Sequence, residues 1–177
     1  MRITLHRLVH RLKHPFTIAR GTLTEQTSLV VQLEWSGHTG LGEVTENSYY
    51  GHTYEAMAAA IEQLGDRWSE FLLAEEYDWQ QVLDGVGGDY FAASALDMAL
   101  VDLRARIQDQ PVWKYWNLQW NDQIVSSYTI GIDTIDKMVA KLQEQPEWPI
   151  YKIKLGTEQD LAIVQALRQV TQATFRV

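Results

Sequence analysis

The stretch IYKIKLGTEQDLAIVQALRQVTQATFRV, residues 150–177, decides the fold of this chain. Its opening IYKIK alternates: Tyr151, Ile153 and Leu155 share one face of a strand, and Lys152 and Lys154 share the other. TEQDLAIVQALRQV (157–170) follows as an amphipathic helix with Thr157 at its N-cap, and ATFRV (173–177) reads as the next strand. Upstream, IVSSYTIGI (124–132) is a strand, and TIDKMVAKLQEQ (134–145) is a helix with Thr134 as its cap. The order is β-α-β-α-β. Units of this length specify parallel strands joined by helical crossovers, in a doubly wound sheet or a (β/α)8 barrel.

Two ammonium groups on one strand face admit two explanations. An exposed face with two solvated lysines is the plain one; a basic catalytic strand is the other. At roughly 6.5 Å, two such charges repel by about 2.5 kcal/mol at an effective dielectric near 20, which favours loss of one proton. A pair of this kind is therefore suited to supplying a base.

The first part of the chain follows a different pattern. RITLH opens a strand near residues 2–12, and Pro15 interrupts any helix after it. TSLVVQLEW (27–35) and TGLGEVT (39–45) flank a turn at Ser36, Gly37 and His38, a hairpin signature. TYEAMAAAIEQL (53–64) then starts a helix with Thr53 as N-cap. DYFAASALDMALVDLRARI (89–107) is a longer helix capped by Asp89, with Phe91, Ala95, Met98, Ala99 and Asp102 on helical spacing and Gln110-Pro111 at its end. The expected architecture is an α+β unit over 1–117, with a three-stranded antiparallel sheet and helices, followed by a second unit over 123–177. A whole barrel needs on the order of 250 residues, so the second unit holds at most its first strands and helices, truncated after the third strand. An open apolar edge on a parallel sheet argues for an incomplete chain.

Composition narrows the function classes. The 177 residues include no cysteine, which excludes a disulfide framework, a thiolate nucleophile and cysteine-ligated zinc, and points to the cytoplasm. His6, His10, His14, His38 and His52 form no helical ligand pair. The formal net charge of -8 argues against nucleic acid and anionic membrane as partners. The first 24 residues hold Arg2, Arg7, Arg11, Lys13 and Arg20 without an acid, but their alternation fits a strand better than a targeting segment. YFAASALDMALVDL (90–103), broken by Asp97 and Asp102, cannot span a bilayer.

Taken in order, GLGEV (40–44), ASALDMALVDLRAR (93–106), the short segment after Pro111, SYTIGID (127–133) and KIKLG (152–156) resemble the enolase superfamily, in its muconate-lactonizing subgroup. SYTIGID is most similar to the dipeptide epimerases that act on L-Ala-D/L-Glu. The resemblance covers essentially the whole chain and implies an enolase-like capping domain followed by the start of a (β/α)8 barrel. It also implies a Mg2+-assisted 1,1-proton transfer at the α-carbon of a dipeptide, in a homo-oligomer when complete. Lys154 would then be the base and Lys152 its electrostatic partner. Arg20, in TIARGTLTEQ (17–26), would sit in the first substrate-covering loop and grip an acidic side chain bidentately, against the plain alternative of a surface arginine beside a turn. Thr129 would touch substrate from the first barrel strand, or be an ordinary β-former. Tyr49 and Tyr50 would belong to the second covering loop, shaping specificity or merely packing.

The family's three Mg2+-binding carboxylates, its opposing lysine on the sixth strand and its Asp-x-Asp segment are expected beyond Val177. Asp97, Asp102, Asp133 and Asp136 do not replace them, being on a cap helix or at the start of a barrel helix. The chain alone is expected to be inactive. Other subgroup activities (o-succinylbenzoate synthase, muconate cycloisomerase, N-acylamino-acid racemase) and a non-catalytic binding module are the alternatives.

Overall fold

A computed structural model describes residues 1–121 and 124–177, in two compact units. The first comprises Met1–His10 and Gln26–Trp120, and the second Arg11–Glu25 and Asn121–Val177. The 15 residues around the first β-turn thus cluster with the second unit, although the sequence suggests one division between 117 and 123; position 123 itself lies outside the described residues.

Three strands, β1 (Arg2–Ile18), β2 (Gly21–Trp35) and β3 (His38–Thr45), form an antiparallel sheet in the order β1-β2-β3. β1 is longer than the expected 2–12 and runs straight through Pro15. A proline removes one donor, and β1 is an edge strand, where a missing donor is tolerated. The β2–β3 turn is Ser36-Gly37, with φ of 49° and 83° at the two residues, the left-handed pair required by a tight two-residue hairpin.

Helices α1 (Tyr54–Glu62), α2 (Trp68–Leu73), α3 (Trp79–Gly85), α4 (Tyr90–Ile107) and α5 (Val112–Tyr115) follow. The Thr53 side chain accepts from the Ala56 N–H, and Asp89 accepts from the N–H groups of Phe91 and Ala92, so both expected caps form. Leu29, Val31 and Leu33 of β2 pack with Met57, Ile61, Trp68, Leu96, Leu100 and Leu103 in one core.

α4 lies directly on β3, and this contact explains GLGEV. A Cβ on Gly42 would stand 2.0 Å from the Ala95 carbonyl oxygen, and one on Gly40 would stand 2.3 Å from that of Ala99. Only hydrogen fits at both positions. Leu41, between them, points outward, while its N–H donates to the Asp102 carboxylate at 3.0 Å. The same carboxylate accepts from Arg106 Nε at 2.9 Å. Met98 is turned outward rather than joining the apolar face, because the alanine stripe occupies the side against β3. Below it, Arg104 is buried and donates to the carbonyls of Phe71 and Ala74, the last carbonyls of α2.

The second unit contains β4 (Tyr128–Ile130), α6 (Ile135–Gln143), β5 (Ile150–Ile153), α7 (Asp160–Val170) and β6 (Thr174–Arg176). The three strands are parallel in the order β4-β5-β6. Following the α+β unit along the chain, this parallel sheet with its helices is the start of an enolase-type barrel. Tyr151 and Ile153 are buried among Ile130, Met138, Leu142, Ile163 and Leu167, so one face of the sheet is covered by α6 and α7. Two helix starts differ from expectation. Thr134 occupies the N-cap of α6 but forms no side-chain cap; its own N–H donates to Asp133 at 2.7 Å. α7 begins at Asp160 rather than directly after Thr157, because the Asp160 carboxylate turns back to accept the N–H groups of Gly156 and Thr157. That satisfies the loop donors and delays the first helical turn.

Gly42→Ala should destabilise the first unit by about 1–3 kcal/mol through overpacking against the α4 backbone. Chemical denaturation followed by tryptophan fluorescence measures it. An unchanged midpoint would contradict the close approach of α4 to β3.

Candidate active site

The lysine strand is built by burial of its other face. Tyr151 and Ile153 are held against α6 and α7, so Lys152 and Lys154 emerge from the opposite side of β5, Lys152 exposed and Lys154 half-buried. The parallel register sets Thr129 of β4 and Arg176 of β6 beside Lys152. Beyond the end of β5, the Lys154 N–H still donates to the Ile130 carbonyl at 2.9 Å, so the ladder carries the second lysine in line with the first. Thr129, Lys152, Lys154 and Arg176 thus share one sheet face. Arg176 was missed at the sequence level. Its signal was the alternation in Thr174-Phe175-Arg176, where half-buried Phe175 marks the helix side and Arg176 the lysine side. Its guanidinium reaches Ser127 Oγ at 3.0 Å.

Arg20 stands at the turn between β1 and β2 and is exposed; its residues belong to the same compact unit as the lysines. The expected covering loop is the tip of a hairpin whose strands continue to Ile18 and from Gly21. Within this unit the hairpin is fastened to the strand ends. The Ile132 N–H donates to the Thr17 carbonyl at 2.9 Å. Lys13 Nζ lies 2.9 Å and His14 Nε2 3.0 Å from the Glu144 carboxylate, at the end of α6. The bond from Lys13, and then that from His14, holds the Glu144 carboxyl below the usual glutamate range.

Tyr49 and Tyr50 belong to the other compact unit. They sit in a turn closed by the Asn47–His52 bridge, with their rings edge-on at 4.9 Å, and both are 64% exposed. Tyr50 leans on Phe91, on whose other contact His52 stacks at 4.0 Å.

The acids near the strand ends are already engaged. Asp133 accepts the Thr134 N–H and pairs with Lys137 at 3.1 Å; the backbone bond, foremost, keeps its carboxyl low. Asp160 is held low by the N–H groups of Thr157 and Gly156. Among the described residues no three aspartate, glutamate or histidine side chains gather as a metal site, so Mg2+ does not fit the side chains present. No helix among them is long and apolar enough to cross a membrane.

Residues 2–115 match the mandelate racemase / muconate lactonizing enzyme N-terminal domain, and the chain belongs to that family, within the enolase superfamily. It is 41% identical to an L-Ala-D/L-amino acid epimerase of Flavobacterium johnsoniae, an alignment covering all of this chain and 53% of that protein. It superposes with a TM-score of 0.85 on an enolase family member from Agrobacterium tumefaciens with homology to dipeptide epimerases, solved with sodium and L-Ala-L-Glu; the two are 29% identical over 98% of this chain and 52% of the other. A dipeptide epimerase from Methylococcus capsulatus, complexed with Mg and L-Arg-D-Lys, gives a TM-score of 0.85 at 26% identity, covering 99% of this chain and 52% of that one. The chain spans about half the length of these relatives.

The lowered Glu144 carboxyl favours the fold above the usual glutamate range, and that contribution fades as pH falls through its lowered range and the carboxylate is neutralised. Protection of the Ile132 amide, corrected for intrinsic exchange, should therefore drop on acidification. In Glu144→Gln it should be low already at neutral pH. Equal protection in both proteins at neutral pH would show that the ionic anchor does not hold the hairpin.

Proposed function

We propose that this chain is the cap and first three barrel strands of a dipeptide epimerase, with the cap over 1–117 and the barrel from 123. The observation that carries the proposal is the single face shared by Lys152, Lys154 and Thr129, in a chain whose relatives are epimerases. Lys154 Nζ accepts the α-proton of the dipeptide's second residue, and the electron pair of the broken C–H bond passes to the oxygens of the adjacent carboxylate as an enediolate. Lys152, beside it on the strand, presents positive charge to the oxygen on which the negative charge accumulates. Return of a proton to the opposite face of the α-carbon inverts it, and we assign that step to a second base in the part of the barrel that relatives have and this chain does not span. The Mg2+ ligands belong to the same part, and the chain alone is inactive. Arg20, at the hairpin tip, reads the side chain of the second residue, favouring a carboxylate. Thr129 contacts the substrate from the first barrel strand, and Tyr49 and Tyr50 contribute to specificity. The complete enzyme works in the cytoplasm as a homo-oligomer on free dipeptides.

The test is solvent-deuterium exchange by NMR, with L-Ala-L-Glu and L-Ala-D-Glu, on a full-length polypeptide carrying this half. Lys154→Ala should abolish α-proton exchange from the epimer it faces and leave exchange from the other. Lys152→Ala should slow both directions, by about 3–4 kcal/mol in barrier. Arg20→Met should weaken use of an acidic dipeptide by roughly 2–4 kcal/mol in kcat/KM relative to an apolar one. Normal exchange from both epimers in Lys154→Ala would refute the base assignment.

A further inference from the structure

The hairpin arm that carries Arg20 also carries Phe16, and the structure gives that arm a seat on the barrel strands. Two glycines make the seat. Gly131, directly after β4, is buried beneath Thr17: a Cβ there would lie 3.2 Å from the Thr17 nitrogen and 3.4 Å from its carbonyl oxygen. Gly156, two residues after Lys154, lies beneath Ala19, where a Cβ would come within 2.8 Å of the Ala19 methyl, and its φ of 131° is itself open only to glycine. The backbone bond from Ile132 to Thr17 fixes the register between these two contacts. Seated in this way, Phe16 rests 3.7 Å from the Gly131 Cβ position through its ring edge and places the ring centroid 6.0 Å from Lys154 Nζ, at the outer edge of cation–π range.

We propose that Phe16 is a positioning residue for Lys154, its ring roofing the ammonium group and its place set by the glycine seats at 131 and 156. The inference rests on the proposed role of Lys154 as base. A four-carbon side chain at a strand end has many rotamers, and a base must be held within a narrow geometry to meet an α-proton. Packing against an aromatic face removes part of that freedom. The arrangement also links substrate capture to chemistry: the element that carries Arg20 is the element that holds the base in place. Lys152, one step back on the strand, is exposed and has no such roof among the contacts of the described residues, so the two lysines differ in environment while sharing a face.

The test uses the 177-residue chain and a reagent that needs no turnover: site-resolved acetylation by acetic anhydride, read by mass spectrometry. In Phe16→Leu, which keeps an apolar side chain of similar bulk, Lys154 should react about two- to five-fold faster than Lys154 of the unaltered chain. Phe16→Tyr should return it to the unaltered rate, and Lys152 should keep its rate in both variants. Gly156→Ala, which lifts Ala19 and the arm with it, should act like Phe16→Leu. Lys137 and Lys141 on α6 report on the fold and should keep their rates throughout. If Lys154 reacts at the same rate in Phe16→Leu as in the unaltered chain, or if Lys152 accelerates as much as Lys154 does, Phe16 does not position it. Because acetylation is independent of epimerisation, a failed activity assay leaves this result standing, and the converse also holds.

Discussion

Burial of Tyr151 and Ile153 against α6 and α7 is the constraint on which the candidate site depends. A strand has a period of two, so once those two side chains face the helices, Lys152 and Lys154 have one direction left. The apolar contribution is large enough to decide the matter. Each such side chain contributes about 1.5–3 kcal/mol on burial, whereas an inward turn would leave two ammonium groups without water or partners. A slip of one residue would invert both faces at once. The chemistry of the lysine face is therefore secured by residues that never touch it.

A second constraint works in the first unit, where backbone meets backbone. α4 approaches β3 so closely that Gly40 and Gly42 cannot bear a side chain, and the helix meets them with Ala95 and Ala99. The same device recurs in the second unit, where Gly131 and Gly156 receive the hairpin arm at Thr17 and Ala19. In both places a glycine is the record of a neighbour. The ionic contacts of Lys13 and His14 with Glu144 lie at the surface, so each is individually modest, and together they hold the arm at the end of α6.

Much of this was legible in the residues. The alternation in IYKIK, the order of strands and helices after residue 123, the caps at Thr53 and Asp89 and the Ser36-Gly37 turn all follow from local chemistry, and each forms as local chemistry predicts. Other features were not legible, most of them because they depend on partners distant in sequence. Pro15 reads as an interruption until β1 is known to be an edge strand. Thr157 reads as the cap of α7, but its hydroxyl accepts from the Gln159 N–H ahead of the helix, while the Asp160 carboxylate takes the N–H groups of Gly156 and Thr157 and α7 starts at Asp160. Arg176 and Phe16 carry no motif; the first joins the site through register with Lys152 and the second through the fold of a hairpin over 130 residues earlier in the chain. The placement of Lys152 and Lys154 on one face was local, but what stands beside and above them was not.

The absence of native cysteine allows a direct measurement of the face that the lysines share. Thr129 and Lys152 are register partners on neighbouring parallel strands, and strands about 4.8 Å apart bring paired Cα atoms within the span of a disulfide. A chain with Thr129→Cys and Lys152→Cys should oxidise readily to an internal disulfide under mild conditions, scored by mass spectrometry. The combination of Thr129→Cys with Ile153→Cys places the thiols on opposite faces and should remain reduced. A disulfide in the second variant but not in the first would place Lys152 on the helix side and contradict the account at its root.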